Sequence, residues 1–257
     1  MGTLRRLRLD ILVVERGLTK TRSRAQALIL AGRVRVNNAI ATKTGLQVNS
    51  DADVTVSERD HPFVGRGGLK LTHAFDQLGI DVRGRIALDI GASTGGFTDV
   101  MLHRRARHVV AVDVGRGQLD WRLRNDERVT VMEGTNARYL TTGDFPVGLR
   151  EFSCVTIDVS FISLKLILPV LPPLLTINSD IAALVKPQFE AGRSEVGKGG
   201  IVRDPNIHLR VVEEVIAAAD TLGLRHVSTT ASPILGAEGN REFFVHLRHK
   251  NRTNADA

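Results

Sequence analysis

The sequence has little cysteine, few aromatic residues and no long hydrophobic run. A single cysteine, Cys154, among 257 residues excludes internal disulfide bonds and any zinc site built mainly from cysteines. Aromatic residues make up only 4% of the chain. The most apolar stretch, residues 164–175, contains one lysine and three prolines, so it is too interrupted to form a membrane span. Alternating charge follows the first eight residues, with no signal-peptide core, so we expect a soluble, cytoplasmic protein.

What is abundant is positive charge, and it is unevenly spread. The formal net charge is +7, and the segment from Arg5 to Arg35 alone holds nine basic and two acidic residues. Residues 61–257 are almost balanced, with 24 basic and 22 acidic residues. Basic side chains gather on surfaces that bind nucleic acid, because each phosphate contact releases counterions. The concentration predicts a polyanion-binding unit, and a solvated basic face without a partner is the alternative.

The first 60 residues have the pattern of a small α+β unit. Apolar positions predict two helices that end at Gly17 and Gly32, followed by strands near residues 34–36 and 54–56. The polar run at 57–62 is the best candidate for a connection. We therefore expect four parts: residues 1–60, a linker at 61–66, a large domain at 67–250 and a tail at 251–257.

Five short blocks mark this N-terminal unit: Arg8-Leu9-Asp10, Gly17-Leu18, Ser23-Arg24, Leu28-Ile29 and Gly32-x-Val34-x-Val36-Asn37. Together they resemble the RNA-binding domain first seen in ribosomal small-subunit protein four, often called the alpha-L motif. The resemblance implies that the two helices and the next strand bind structured RNA. Because residues 1–60 contain no aromatic side chain, recognition of phosphates and duplex shape fits better than base stacking.

The residues expected to bind RNA are basic side chains of this unit and one arginine of the linker. They are Arg5, Arg6, Arg8, Lys20, Arg22, Arg24, Arg33, Arg35 and Arg66.

Short apolar runs alternate with helix-like stretches from Gly84 onward, the longest of them at 206–222. Strands rich in valine and isoleucine that alternate with helices predict a mostly parallel sheet, with ligands at the carboxyl ends of its strands. The fold class is therefore α/β, with a seven-stranded sheet after a small α+β domain. The predicted strands are Ile86–Ile90, His108–Val114, Val129–Met132, Cys154–Asp158, Ile181–Val185, His226–Thr230 and Phe243–Leu247.

A glycine-rich loop, residues 91–98, joins the first of these strands to a helix. Glycine lets the backbone approach a ligand, and the helix N-terminus offers free N–H groups. Asp113 ends the next strand, where a carboxylate can bind a ribose diol. The same loop also fits the G-x-S-x-G pattern of serine hydrolases, and a tight turn without a ligand is a further alternative.

The spacing Asp-x-Gly-x-Ser-x-Gly-Gly at 89–96 resembles the S-adenosylmethionine loop of Rossmann-like methyltransferases. The cofactor-binding residues that this resemblance implies are Asp89, Gly91, Ser93, Thr94, Gly95, Gly96, Phe97, Asp113, Val114 and Asn136.

Four charged residues lie far apart in the sequence: Lys70, Asp158, Lys186 and Glu242. Lys70 lies at the entry to the second domain, Asp158 and Lys186 end predicted strands, and Glu242 begins the last one. Each alone is typically a solvated charge. Together they resemble the Lys-Asp-Lys-Glu tetrad of the FtsJ-like RNA ribose 2′-O-methyltransferases. Five blocks surround them: GGLKL at 67–71, DIGASTGGFTD at 89–99, AVDVG at 111–115, DVSFISL at 158–164 and LVKPQFE at 184–190.

With its basic N-terminal unit, the chain from about residue 7 to 248 resembles the TlyA family, whose members methylate cytidine 2′-hydroxyls of ribosomal RNA and are often labelled hemolysins. The resemblance implies a Rossmann-like methyltransferase sheet, S-adenosyl-L-methionine as cofactor, and ribosomal RNA or ribosomal subunits as partner. It implies that Lys186 is the base, that Lys70 supplies a second positive charge, and that Asp158 and Glu242 orient the reacting groups. Gly65 departs from the family, where a serine is usual.

Several further expectations complete this interpretation. The eight histidines lack ligand spacing, so no metal is expected. A monomer is favoured, and Cys154 is expected to be a buried strand residue. The loop at 192–200 closes over RNA or is a plain surface loop. The alternatives in function are an RNA-binding protein with an inactive methyltransferase fold and a hemolysin that acts on membranes; a pseudouridine synthase is disfavoured, because that chemistry has no use for the glycine loop.

Overall fold

The computed structural model describes residues 5–56, 61–236 and 239–249. The predicted domain boundary at residue 60 and the predicted tail at 251–257 lie outside these ranges. Within them, no helix combines the length and the apolar character that a membrane crossing requires.

The N-terminal unit packs two helices on short strands. Thr21 begins the second helix, where its side-chain oxygen accepts the N–H of Arg24 at 3.2 Å. The core is aliphatic and includes Leu9, Leu28 and Ile29. These features confirm the two helices and both strands of the sequence prediction, while three further strands were not predicted. The elements are β1 (Arg6–Arg8), α1 (Leu9–Glu15), α2 (Arg22–Leu30), β2 (Val34–Val36), β3 (Ala39–Ala41), β4 (Gln47–Asn49) and β5 (Val54–Val56).

The second domain is built on one seven-stranded sheet. Its strands are β6 (Ile86–Ile90), β7 (His108–Asp113), β8 (Val129–Glu133), β9 (Phe152–Ile157), β10 (Leu175–Val185), β11 (Leu224–Ala231) and β12 (Phe243–His249). Their spatial order is β11-β12-β10-β9-β6-β7-β8. Only β12 pairs antiparallel to its neighbours within this sheet, and the other pairings are parallel. The predicted fold class and all seven predicted strands are confirmed.

The helices of this domain are α3 (Gly67–Leu78), α4 (Gly96–His103), α5 (Trp121–Arg124), α6 (Pro187–Glu190) and α7 (Pro205–Thr221). The longest, α7, agrees with the prediction at 206–222 within one residue at each end. Its start is marked by Asp204, which accepts the N–H of Asn206 at 2.8 Å, and by a proline in the first turn.

The apolar core forms two layers, one on each face of the sheet. Side chains alternate along a strand, so Leu88 and Ile90 join one layer while Ala87 joins the other. Cys154 lies in the second layer and is fully buried, as predicted, and burial raises the pKa of its thiol to about 12. Such a thiol is not a nucleophile at neutral pH.

The predicted linker at 61–66 is packed against the second domain. Phe63 and Val64 are buried, and the N–H of Val64 donates to the Asp99 carboxylate on α4 at 2.7 Å. Residues 63 and 64 therefore contact the second domain, including the helix that follows the glycine loop.

Strand order brings the candidate site together. β6 and β9 are neighbours although β7 and β8 separate them in sequence, so the order reverses between β6 and β9. At such a point the loops after the two strands diverge and leave a crevice at the carboxyl edge of the sheet. The glycine loop follows β6, and Asp158 follows β9.

Candidate active site

The glycine loop approaches the end of β9 closely. Gly91 has φ +87°, and a Cβ there would overlap the carbonyl oxygen of Asp158. The N–H of Gly91 donates to Val112 O at 2.8 Å, which fixes the loop to the end of β7. Glycine is required at this position because both the backbone conformation and the close approach exclude a side chain.

Asp113 holds the loop from the end of β7. One carboxylate oxygen accepts the N–H of Ser93 at 2.7 Å, and the other accepts the N–H of Gly115 at 2.6 Å. The Ser93 hydroxyl is 3.2 Å from the side-chain oxygen of Gln118. Among the described residues, no histidine lines the two cavities beside this loop. The serine hydrolase alternative therefore lacks the base that it needs there.

Asp89 lies beneath the loop and is fully buried. Its carboxylate accepts hydrogen bonds from the hydroxyls of Thr98 at 2.6 Å and Thr156 at 2.9 Å. Burial raises the pKa of Asp89 to about 7 against the lowering by these hydroxyls, and the charge of Asp158 adds to the rise. Asp89 lines neither cavity and contacts Thr98 of α4, and its contact with a cofactor stays a prediction. A sheet covered on both faces buries such a strand residue.

Two adjoining cavities open at this edge of the sheet, with volumes of about 270 Å³ and 340 Å³. They share Leu30, Gly91, Ser93, Asp158, Ser160 and Phe161 as lining residues. Of the predicted cofactor-binding residues, Thr94, Gly96 and Phe97 line the first cavity, and Asp113, Val114 and Asn136 line the second. Gly95 lines neither, because it caps α4 against Leu123.

The four predicted charged residues all line the first cavity, as two ion pairs. Lys70 Nζ lies 2.6 Å from Glu242 Oε2. Lys186 Nζ lies 2.6 Å from Asp158 Oδ1 and donates to Ser160 Oγ at 2.9 Å. Residues 172 positions apart in sequence thus meet in one wall.

Burial and charge oppose each other at Asp158. Burial acts to raise its pKa, but the nearby charges of Lys186 and Lys70 and the hydrogen bond from Lys186 hold the pKa below its ordinary value. Asp158 is therefore a carboxylate at neutral pH. The charges of both lysines favour this ionised form, and all four residues of the two ion pairs line the same cavity.

Sequence reasoning missed several residues of this site. Ser160 and Phe161 lie two and three residues after Asp158. Phe161 is 91% exposed with φ +64°, and its ring lies 5.1 Å from that of Phe189. Their place beside a predicted site residue was the signal that could have found them. Leu30 and Thr42 come from the N-terminal unit, and no local pattern connects them to the cavity.

Two of the predicted RNA-binding arginines hold a buried carboxylate. Asp10 is fully buried and accepts from Arg8 Nε at 3.0 Å, Arg22 Nε at 2.9 Å and Gln26 Nε2 at 2.8 Å. These hydrogen bonds outweigh burial and hold the pKa of Asp10 well below its usual range. Arg8 and Arg22 thus have a structural role, although both side chains are also partly exposed.

The other predicted RNA-binding residues are placed differently. Arg5, Arg6 and Lys20 are exposed, and Arg33 and Arg35 are half-buried. Arg24 Nη1 lies 3.7 Å from Asp120 Oδ2 of the second domain. Arg66 lines the first cavity and packs beside Gly32. The nine residues therefore do not form one uniform face.

The loop at 192–200 is tied to α7. Glu195 accepts both the N–H of Gly192 at 2.8 Å and two hydrogen bonds from Arg210 Nη2 at 2.6 Å. Gly197 pairs with Ile201 as an isolated bridge. The loop lies beyond Lys186 in the chain, and none of its residues lines either cavity.

Both parts of the chain match known families. Residues 63–249 match the FtsJ-like methyltransferase family, and residues 7–54 match the S4 domain. The chain is 51% identical over 245 residues to a Bacillus subtilis protein named "Putative rRNA methyltransferase YqxC", a match that covers 95% of this chain and 86% of that protein.

Two further relatives extend this similarity. The chain is 47% identical over 245 residues to the Mycobacterium tuberculosis protein named 16S/23S rRNA (cytidine-2′-O)-methyltransferase TlyA, covering 95% of this chain and 90% of that protein. A solved structure described as "Putative hemolysin from Streptococcus thermophilus" is 44% identical, with a TM-score of 0.75 over 97% of this chain and 90% of that chain. Each match spans both the basic N-terminal unit and the sheet domain.

Proposed function

The chain belongs to the FtsJ-like methyltransferase family and carries an S4 domain, and we propose that it transfers a methyl group from S-adenosyl-L-methionine to the 2′-hydroxyl of a cytidine in ribosomal RNA. The observation that carries this proposal is the pair of lysine–carboxylate contacts facing one cavity beside the glycine loop. The names of two relatives agree with the substrate class.

The residues of the two cavities fit this cofactor. Gly91 leaves the loop backbone free of a side chain at the point where the cavities meet. Asp113 places a carboxylate at the second cavity, where a ribose diol needs an acceptor, and Asn136 adds an amide there. Bound by these residues, S-adenosylmethionine would supply a methyl group whose carbon is electrophilic because it is attached to a positively charged sulfur.

Lys186 is the proposed base. A ribose hydroxyl is a weak nucleophile at neutral pH, so its proton must leave as its oxygen attacks the methyl carbon in line. Asp158 and Ser160 fix Lys186 Nζ at the cavity wall. In its uncharged form, Lys186 Nζ accepts the proton of the 2′-hydroxyl and then releases it to solvent. The bond between the 2′-oxygen and the methyl carbon forms as the bond between that carbon and the sulfur breaks.

Lys70 is the proposed stabiliser of the developing charge. The buried carboxylate of Glu242 holds its ammonium group at the wall of the first cavity, which both residues line. A fixed positive charge in a site shielded from water stabilises the negative charge that grows on the attacking oxygen. Asp158 and Glu242 are thus proposed to orient the two lysines, each holding one.

The S4 domain is proposed to hold the RNA. Its exposed Arg5, Arg6 and Lys20 can contact phosphates, while Arg66 lies at the cavity itself. Structured RNA bound by the basic surface would bring one ribose to the first cavity. Binding and modification are therefore assigned to different parts of the chain.

Methyl transfer from labelled cofactor tests this proposal. The protein is incubated with small and large ribosomal subunits, and with the rRNA extracted from each, from cells that lack this activity. The RNA is then digested to nucleosides. We expect label in 2′-O-methylcytidine. Label on a base would contradict the ribose assignment, and no label in any RNA would favour the alternative of an RNA-binding protein without activity.

A further inference from the structure

Trp121 is the only tryptophan of the chain, and 64% of its surface is exposed. It begins α5, a single turn between β7 and β8. An indole ring is a large apolar surface that proteins usually bury or place in an interface. A tryptophan left this exposed at a fixed position is suited to contact a partner.

Trp121 lies where the two domains touch. Asp120, directly before it, accepts the backbone N–H of Arg122 at 3.0 Å and so caps α5. The other oxygen of the same carboxylate lies 3.7 Å from Arg24 Nη1 of the S4 domain. Ser23, also in the first turn of α2, donates its hydroxyl to Gly117 O at 3.4 Å. The buried Asp120 carboxylate thus links α2 to α5.

Basic side chains lie on both sides of this contact, most of them paired with a carboxylate through part of the guanidinium group. The S4 domain contributes Lys20, Arg22 and Arg24 near the start of α2, and the second domain contributes Arg122 and Arg124 on α5. Arg122 and Arg124 are exposed, although they pair with Asp120 and Glu133. Exposed arginines around one accessible aromatic ring are the combination with which proteins bind unpaired nucleotides.

The S4 domain cannot supply that ring itself. Residues 1–60 contain no phenylalanine, tyrosine or tryptophan. The domain can therefore contact phosphates and duplex shape, but it has no aromatic side chain on which a base could stack. The nearest element across the domain contact provides one.

We propose that the start of α2 and α5 form one continuous RNA-binding surface, on which Trp121 stacks against an unpaired base of the substrate RNA. Lys20, Arg22 and Arg122 contact the flanking phosphates. The inference rests on the proposed function only in taking ribosomal RNA as the ligand. It assigns to the methyltransferase domain a contact with RNA that is separate from the cavity holding the reacting ribose.

Because Trp121 is the only tryptophan, its fluorescence reports this contact directly in the full-length protein. Protein-free rRNA, extracted from purified ribosomal subunits, is titrated into wild type, and we expect the emission to be quenched. Trp121→Ala is expected to weaken binding about 5- to 150-fold, the range for loss of one stacked base. The slope of log affinity against log salt should not change, because no phosphate contact is removed.

Two variants control this measurement. Trp121→Phe keeps an aromatic face and is expected to retain most of the affinity. Leu209→Ala removes an apolar side chain of α7 that is equally exposed, at 64%, and is expected to bind RNA as wild type does. An Arg122→Ala variant should lower the salt slope instead, which separates stacking from phosphate contact.

The inference is overturned if wild-type emission is unchanged at saturating RNA, or if Trp121→Ala binds with wild-type affinity. It is also overturned if the variant changes the sedimentation of the free protein, since Trp121 would then belong to a contact between chains. The same samples are assayed for methyl transfer. No label with wild type in any of these RNAs, taken from cells that lack the activity, or in the ribosomal subunits themselves contradicts the proposed function and leaves the fluorescence result to decide the binding surface.

Discussion

Two fully buried aspartates, Asp10 in the S4 domain and Asp89 in the methyltransferase domain, differ in what surrounds them. Asp10 is bound by two guanidinium groups and an amide, which hold its pKa well below the usual range. Asp89 has only two threonine hydroxyls, and its pKa is raised to about 7. Asp10 is therefore ionised at neutral pH, whereas Asp89 is present in both its protonated and its ionised form.

The difference belongs to these two positions and not to the domains as wholes, since Asp180 of the methyltransferase domain is also buried and bound by two arginines. The S4 domain is small, basic and without aromatics, so a buried carboxylate that gathers arginines both stabilises it and positions charge at its surface. The methyltransferase domain directs two ion pairs into one cavity and surrounds Asp89, beneath the glycine loop, with threonine hydroxyls. Holding RNA and modifying it should therefore be separable by mutation.

The largest expected effect is on the chemistry alone. Lys186→Ala should lower the rate of methyl transfer by about 10²- to 10⁴-fold, because the proposed base is lost. Affinities for cofactor and RNA should stay near those of wild type. Single-turnover methylation and separate binding titrations check this.

Lys165→Ala is the matched control for that variant. Lys165 also pairs with a carboxylate, Glu214 at 2.9 Å, but lies outside both cavities. The Lys165→Ala enzyme should therefore transfer methyl groups at the wild-type rate. Wild-type turnover of the Lys186→Ala enzyme would contradict the proposal that Lys186 is the base. It would also contradict the expectation that this mutation separates modification from RNA binding.

The next effect concerns the glycine loop. Gly91→Ala combines a left-handed backbone with overlap at Asp158, so we expect about 2–5 kcal/mol of strain and at least a tenfold loss of cofactor affinity. Gly148→Ala has a similar φ, +91°, with open space around its Cβ position. It should cost only about 1–2 kcal/mol of stability and leave cofactor binding intact. Calorimetric binding of S-adenosylmethionine distinguishes them, and equal cofactor affinities would show that the approach to Asp158 does not matter.

The two aspartates predict opposite dependences of stability on pH. Asp10 has a lowered pKa, so its contribution is present above about pH 4 and is lost as the pH falls further. Asp89 has a raised pKa, so the folded state keeps a proton that the unfolded chain releases near pH 4. Its contribution is complete below about pH 4 and is lost as the pH rises to about 7, on the order of 2–4 kcal/mol.

Urea unfolding between pH 3 and 8 measures both contributions. Asp10→Asn should reduce the loss of stability on the acid side, and Asp89→Asn should flatten the decline between pH 4 and 7. If Asp89→Asn leaves that slope unchanged, the buried carboxylate is not the group that titrates there.

The smallest effect separates two neighbouring basic residues of the S4 domain. Lys20 is exposed, whereas Arg22 binds Asp10. Lys20→Ala should weaken RNA binding slightly and lower the salt slope by about one, with no change in stability. Arg22→Ala should also lower the free energy of unfolding, by about 1 kcal/mol or less, because the arginine is half-exposed. Identical stabilities for the two variants would contradict the structural role of Arg22.

Much of the fold was predictable because its signals are local. Valine-rich runs and glycine stops place β6 at its observed bounds and α7 within one residue of them. The glycine loop was predictable because its glycines lie between an apolar strand and a helix in the sequence. The grouping of Lys70, Asp158, Lys186 and Glu242 came from resemblance to a family, since nothing in the spacing of these residues implies that they meet.

The remaining features depend on tertiary contacts that no local pattern encodes. Leu30 reaches the cavities only because the S4 domain packs beside them. Arg8 and Arg22 looked like free RNA contacts, and only the fold shows that they converge on Asp10. The burial of Asp89 was accessible in principle, because a strand inside a doubly covered sheet hides both of its faces.

The most direct test uses a substrate that lacks one atom. Once the modified nucleotide has been mapped, an RNA is prepared with a 2′-deoxyribose at that position alone. We predict that it binds with the affinity of the unmodified RNA and accepts no methyl group, because the oxygen that Lys186 is proposed to deprotonate is absent. Methyl transfer to the deoxy substrate at the normal rate would contradict the account.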